Sequence, residues 1–437
     1  MPYPNVQKLR DLVQEIELVG QLQHERGSHN LQAILRESER ELQKTLSELN
    51  KVPVDQRMAE KEPNDLDSIR ALRPKGPRRI WKEFDKEVYR NKLEGGLLGR
   101  FAGCTLGAPV ELWPVEKMKA LAEEFGQEFP PTRYWKYVPE PKSLRYDFSP
   151  VEAYTRGGMD GVPVDDDIVY TILGLLIVEE YGLAFTTEEV GKAWLKYLPH
   201  ACTAEEVALN HLKAGVPAEK AGEKENPYRE WIGADIRSDP WGYLAPGWPE
   251  RAADMAYRDA YLSHRRQGIY GSMFFAATIA AAFTVEHPIE AVEIGLTEIP
   301  KDCASAKAIR WAFKVAPEIK DYRDARAAVD QKFSGMDPVH TINNACLTVF
   351  GLSIGGTDLT RVISETVAMG LDNDCTAATA GSIVGVIIGQ DAIPERWTKR
   401  FNNRVHSYLI DHPKFSISGL LKRFTKQARG VYESELR

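Results

Sequence analysis

Positive charge and cysteine are both scarce in this chain. Lysine and arginine number 56 against 63 aspartates and glutamates, a formal net charge of -7. With no cationic excess to neutralise phosphates, nucleic acid and anionic membrane surfaces are excluded as principal partners. The five cysteines, Cys104, Cys202, Cys303, Cys346 and Cys375, are odd in number and widely scattered. They make neither a disulfide framework nor a C-x-x-C zinc site, which favours a reducing compartment. The opening MPYPNVQKLRDLVQEIE puts charges where a secretory signal needs an apolar core, so a cytoplasmic protein is expected. Strand-type alternation is scarce, no G-x-G-x-x-G follows a strand, and there is no exact repeat. The longest uncharged stretch, Gly268 to Val285, is rich in Gly, Ala, Ser and Thr and reads as a buried helix rather than a membrane span.

Helical spacing is abundant. Apolar residues Leu9, Leu12, Val13 and Ile16, then Leu31, Ile34, Leu35, Leu42, Leu46 and Leu49, predict two amphipathic helices broken near Gly27. Such an appendage is expected to dock on the rest of the chain; the rival reading is homo-oligomerisation through these helices. Pro53 to Arg79 is polar and proline-punctuated, so residues 1–80 read as a helical extension with linker and residues 81–437 as the main domain. Within that domain helices are predicted over Glu87–Leu106, Asp167–Tyr181, Thr187–Leu198, Ala304–Val315, Tyr322–Lys332, Thr341–Phe350 and Thr376–Ile388, among others. The fold class is therefore all-α. A loop-rich insertion is expected at about 199–249, with Trp231, Trp241 and Trp248 suited to a binding element or lid. Two glycine stripes stand out, Gly95, Gly99, Gly103 and Gly107, and Gly381, Gly385 and Gly389. Four-residue spacing of this kind lets helices pack backbone-close.

Three places carry candidate chemistry. Asp165, Asp166 and Asp167 run together where an apolar helix begins. One acid caps a helix, but three adjacent carboxylates repel unless a cation sits among them, and oxygen-rich clusters suit Mg²⁺, Mn²⁺ or Ca²⁺. Asp372 and Asp374 repeat the arrangement ahead of the second glycine stripe. Pro109 ends the first glycine helix and leaves Glu111 on a short loop beyond it.

These three segments in this order resemble the ADP-ribosylglycohydrolase family. Its G-D-x-x-G-x-x-x-E pattern is matched by Gly103 to Glu111, with Cys104 in place of the acid. Its [ST]-D-D-T pattern is matched by Asp165 to Ile168, and its G-x-D-x-D-T pattern by Gly370 to Cys375. The resemblance implies a compact all-α domain that binds two divalent cations, Mg²⁺ or Mn²⁺. Asp165, Asp166 and Asp167 would ligate one ion and Asp372 the other, with Asp374 shared. Cys375 takes the place of a threonine that would ligate the second ion, and a thiol is a poor partner for a hard cation. Glu111 would stand at the reacting centre, with Asp166 and Asp167 as further catalytic carboxylates. Substrate contacts are expected from His264, Tyr270 and Gly271 around the start of the long uncharged stretch, from His340, Asn343 and Asn344 at another helix start, and from Arg237 in the insertion.

The function implied is hydrolysis of a glycosidic bond at ribose, releasing ADP-ribose from an acceptor such as arginine, on a protein or a small molecule. A hydrolase of smaller nucleoside-like or sugar compounds, and a non-catalytic ligand-binding member of the fold, are the alternatives.

Overall fold

The two helices predicted before residue 52 form as α1 (Gln7–Glu25) and α2 (Leu31–Leu49), in a computed structural model that describes residues 3–433. The break falls at Gly27, whose φ of +75° is a left-handed conformation glycine adopts without strain. The helices touch where Gly20 faces the methyls of Leu35. No residue of either helix is buried, and Leu9, Leu12, Ile34 and Leu46 stay exposed. This hairpin belongs to a first unit of the chain that ends at Glu60 and includes Ser334–Met336; the second unit runs from Lys61 to Phe333 and resumes at Asp337. The expected boundary at residue 80 therefore falls differently. Residues 61–80 pack within the second unit, where Arg73 and Arg78 both reach the buried Glu298.

The two glycine stripes of the second unit pack against each other. α3 (Lys86–Gly107) carries the first, and the second lies on a helix spanning Asn373–Ile388. A methyl group on Gly95 would overlap the carbonyl oxygen of Gly385, on Gly99 that of Gly381, and on Gly103 that of Ala377; Gly107 lies against Asp374. Residue numbers rise along one helix as they fall along the other, so the pair is antiparallel. The C-terminal end of α3 thus meets the N-terminal end of its partner. Backbone contact of this closeness is open only to residues without a side chain.

Around this pair the regular structure of the described residues is almost wholly helical, with two short two-stranded hairpins. α4 (Asp166–Tyr181) follows the acidic triplet and is buried over most of its length. The predicted insertion at 199–249 is not a loop-rich lid. It contains α5 (Thr203–Lys213), a 3-10 segment (Ile232–Arg237) and α6 (Asp239–Leu244), and it buries Trp241, Tyr243, Arg237 and Asp239. Pro240 and Trp241 fill space beside the core, Pro240 against Gly174 and Trp241 stacked on Phe185 at 4.9 Å. The long uncharged stretch forms α7 (Gln267–Ala282), buried at every position, as expected for a helix apolar all round. Among the described residues no helix is long and apolar enough to cross a membrane. α8 (Thr341–Gly355) and α9, the Asn373–Ile388 helix just described, complete the core around the site. A C-terminal helix, Ile417–Glu433, was not foreseen because its charges mask an apolar face of Leu420, Leu421, Phe424 and Val431.

Candidate active site

Three helix ends converge. α3 finishes at Gly107, a 3-10 turn over Ala108–Val110 carries the chain onward, and Glu111 follows; α4 begins at Asp166; α9 begins at Asn373. The antiparallel glycine register sets Glu111 beside Asp372 and Asp374, whose carboxylate oxygens lie within 4.8 Å of one another. Arg100 on α3 draws in the start of α4. Its guanidinium donates to the Asp167 carbonyl at 2.7 Å, to Asp167 Oδ1 at 3.1 Å and to Asp239 at 2.7 Å, all three side chains being fully buried.

Asp165 caps α4, accepting from the Asp167 N–H at 3.2 Å, so the simple capping role holds for one acid of the triplet. Asp372 occupies the cap position of α9 but makes no capping bond. Asp372 Oδ1, Asp374 Oδ1 and Asp167 Oδ2 are buried without a hydrogen-bond partner. Unpaired buried carboxylate oxygens are costly, and the protonation equilibria reflect it. Burial, then the Glu111 charge, pushes Asp372 up to about 7. Burial and Asp165 push Asp166 up to about 6, against a 2.7 Å hydrogen bond from the Tyr146 hydroxyl. Asp374 and Asp167 are raised as well, again chiefly by burial.

The residue that sequence reading missed lies at the centre of the cluster. Arg145 ends β1 (Leu144–Arg145), which pairs with β2 (Ser149–Pro150). Its guanidinium donates to Glu111 at 2.8 Å, Asp165 at 2.9 Å and Asp374 at 3.1 Å, and to the Ala108 carbonyl at 2.7 Å. Burial works against this cation, but Asp165, Tyr146, Glu111 and Asp374 outweigh it and hold it protonated. The turn that presents it is tight: Tyr146 and Asp147 both take positive φ, +52° and +59°. A lone arginine in a two-residue strand has no periodic signature, so nothing local marks it.

A cavity of about 340 Å³ opens on this cluster, lined by Glu111, Asp166, Asp372 and Asp374 together with Tyr170, Trp231 and Ile236. Cys375 also faces it, its thiol pushed up by burial and then by Asp167, so it stays neutral. Glu205 lines it too and is likewise absent from the sequence expectations.

The proposed substrate contacts separate from this cavity. Arg237 is buried and bound to Glu205, to Asp259 at 2.7 Å and to Ser263 at 3.1 Å, so its charge is consumed within the core. His264 is fully buried with Nδ1 2.8 Å from Ser263 Oγ. The Tyr270 hydroxyl donates to the Pro63 carbonyl, and Gly271 makes room for Asp235 and Thr341. His340 caps α8 through Nδ1. Asn343 holds the Asp337 carbonyl, while Asn344 holds those of Pro338 and His340 and accepts from the Asp372 N–H at 3.3 Å. Both asparagines therefore act on the site by fixing backbone: their loop carries Val339 into the cavity wall, and Asn344 anchors Asp372.

Fold and site together define an all-α protein with a carboxylate-floored cavity at converging helix ends. The chain belongs to the ADP-ribosylglycohydrolase family, whose profile matches residues 85–429. Among solved structures it is similar to an ADP-ribosylglycohydrolase-related protein complex, at 19% identity and a TM-score of 0.52, covering 79% of this chain and 99% of that one. That likeness speaks for the fold. No curated protein matches the chain.

Proposed function

We propose that this cavity hydrolyses a glycosidic bond at the anomeric carbon of a ribose, releasing ADP-ribose from an acceptor such as an arginine side chain, with Mg²⁺ or Mn²⁺ at the carboxylates. The observation that carries this reading is the meeting of Glu111, Asp372 and Asp374 at the cavity floor. The donor set suits a hard cation: Asp372 Oδ1, Asp374 Oδ1 and Asp167 Oδ2 are buried oxygens lacking a partner. A bound divalent ion supplies charge that orients ribose hydroxyls and lowers the pKa of a nearby water.

The chain's own groups do the rest. Glu111, about a third exposed where its neighbours are buried, can take a proton from an attacking water or hand one to the leaving group. An oxocarbenium-like transition state is positive, so the carboxylate floor stabilises it more than the ground state. Tyr170, Trp231 and Ile236 add aromatic and apolar lining to the same cavity.

A second reading, a smaller ribosyl compound as substrate, rests on the cavity itself. Its volume lies near the low end of the roughly 300–1,000 Å³ usual for ligand pockets, and no lysine or arginine is among its lining residues to meet a diphosphate. Product release from ADP-ribosyl-arginine, ADP-ribosyl-serine, ADP-ribose-1″-phosphate and simple nucleosides, with Mg²⁺, with Mn²⁺ and with chelator, separates the two. Asp374→Ala is expected to abolish both ion binding and release; normal turnover by that variant refutes the metal-assisted reaction. A folded protein that binds the ions and releases nothing from any compound shifts the assignment to ligand binding.

A further inference from the structure

We propose that Arg145 is a resident cation that takes the place of one of the two divalent ions the family resemblance implies, so that this chain binds a single divalent ion. The inference rests on the metal-assisted reading above and deepens it.

The commitments of each carboxylate oxygen carry the argument. Asp165 has both oxygens engaged, Oδ2 by Arg145 and Oδ1 by the Asp167 N–H. Asp166 Oδ1 takes the Tyr146 hydroxyl and the Asp167 N–H, and Asp167 Oδ1 takes Arg100. Asp374 Oδ2 and Glu111 Oε2 both take Arg145. Asp165 thus has no oxygen left for an ion, and a guanidinium lies between it, Glu111 and Asp374, where the triplet would otherwise share one. Two further groups of close ligand atoms, Cys104 with Asp165 and Asp167, and Cys375 with Asp167 and Asp374, each include a thiol. A thiol is a poor donor for a hard ion.

The unclaimed oxygens, Asp372 Oδ1, Asp374 Oδ1 and Asp167 Oδ2, are all more than nine-tenths buried. Among the described residues Glu111, Asp372 and Asp374 make the one oxygen-only group of close ligand atoms.

Arg145 is built in rather than parked. Besides three carboxylates it binds the neutral Ala108 carbonyl, a partner that gains nothing from releasing it to a metal. The rings of Tyr146 and Tyr154 flank its guanidinium at 5.3 and 5.7 Å, within cation–π range. The two positive-φ residues that follow it fix the hairpin that delivers it. A guanidinium serves here as a charge that cannot dissociate, with planar donors matched to several carboxylates at once.

The test is Mn²⁺ stoichiometry on the full chain, by calorimetric titration together with electron paramagnetic resonance, with folding followed by circular dichroism. The wild type is expected to bind one Mn²⁺ with an uncoupled signal. Arg145→Met frees Glu111, Asp165 and Asp374 and is expected to bind a second Mn²⁺ with spin coupling between the two; Arg145→Lys, which keeps a positive charge, is expected to stay at one. Two ions or none on the wild type overturns the proposal, as does a folded Arg145→Met protein that still binds one. Should Arg145→Met fail to fold, the wild-type and Arg145→Lys stoichiometries still decide. Ion binding needs no turnover, so a protein that binds one Mn²⁺ but hydrolyses nothing removes the proposed reaction and leaves this inference standing.

Discussion

Two helix pairs in this molecule look alike in apolar spacing and end in opposite environments. α1 and α2 carry leucines at helical intervals and bury none of them, whereas α3 and α9 carry glycines at the same kind of interval and bury nearly everything along their contact. The lesson is that helical periodicity tells where a helix forms, while the size of the residues on one face tells how close another backbone can come. Long side chains keep α1 and α2 apart with a groove between them. Glycines bring α3 and α9 into backbone contact, and that contact sets the register that places Glu111 beside Asp374.

The sharpest way to break this arrangement is Arg100→Met. It leaves Asp167 and Asp239 buried without their cation, and removing one partner of such a pair costs about 3–5 kcal/mol. A melting midpoint near that of the wild type would show that Arg100 does not hold α4 to α3. Next comes a matched pair of alanines. Gly103→Ala drives a methyl into the Ala377 carbonyl and is expected to destabilise the second unit by about 1–3 kcal/mol. Gly20→Ala meets only the Leu35 methyls at 3.7 Å and should stabilise α1 by about 0.5–1 kcal/mol. Equal effects in chemical denaturation would erase the contrast between the two pairs.

A smaller effect is expected from pH. Burial pushes Glu205 up to about 7 against the opposing Arg237 charge. Its folded value then exceeds its unfolded one, so the native state holds the extra proton and the Glu205 contribution to stability falls as pH rises from the ordinary glutamate range to about 7. Glu205→Gln should flatten that fall, and denaturation midpoints across this window check it; parallel pH profiles would dismiss it. The smallest stability change is expected at the hairpin. Deleting residues 1–60 should leave the unfolding of the second unit within about 0.5 kcal/mol, since surface changes seldom do more. Comparing solution mass before and after the deletion tests the rival reading, self-association through these helices; an unchanged mass removes it.

Much of the scaffold was legible from local pattern. The helices at Ala304–Val315 and Tyr322–Lys332 fall where periodicity puts them, α3 runs one residue longer at each end than expected, and α4 starts one residue earlier. Glu111, the acidic triplet, Asp372 and Asp374 were recognisable because each sits at a helix boundary marked by proline, glycine or a run of acids. Arg237 was misplaced for a physical reason: an arginine among tryptophans suits a phosphate clamp and a buried ion pair equally well, and only the positions of Glu205 and Asp259 distinguish them. The 199–249 region was legible in part: Trp231 lines the cavity, as a binding element would, whereas Trp241 and Pro240 fill the core.

By itself the sequence determined the all-α class, the two glycine ridges, and the carboxylates that begin and end core helices, because all of these are signals between residues a few positions apart. The tertiary structure alone decided that the ridges pair with each other, that the pairing is antiparallel, and that Arg145 enters the carboxylate cluster from a separate hairpin. Those contacts join residues tens to hundreds of positions apart. They are selected by packing and by the cost of leaving buried charge uncompensated, neither of which leaves a periodic trace in the chain.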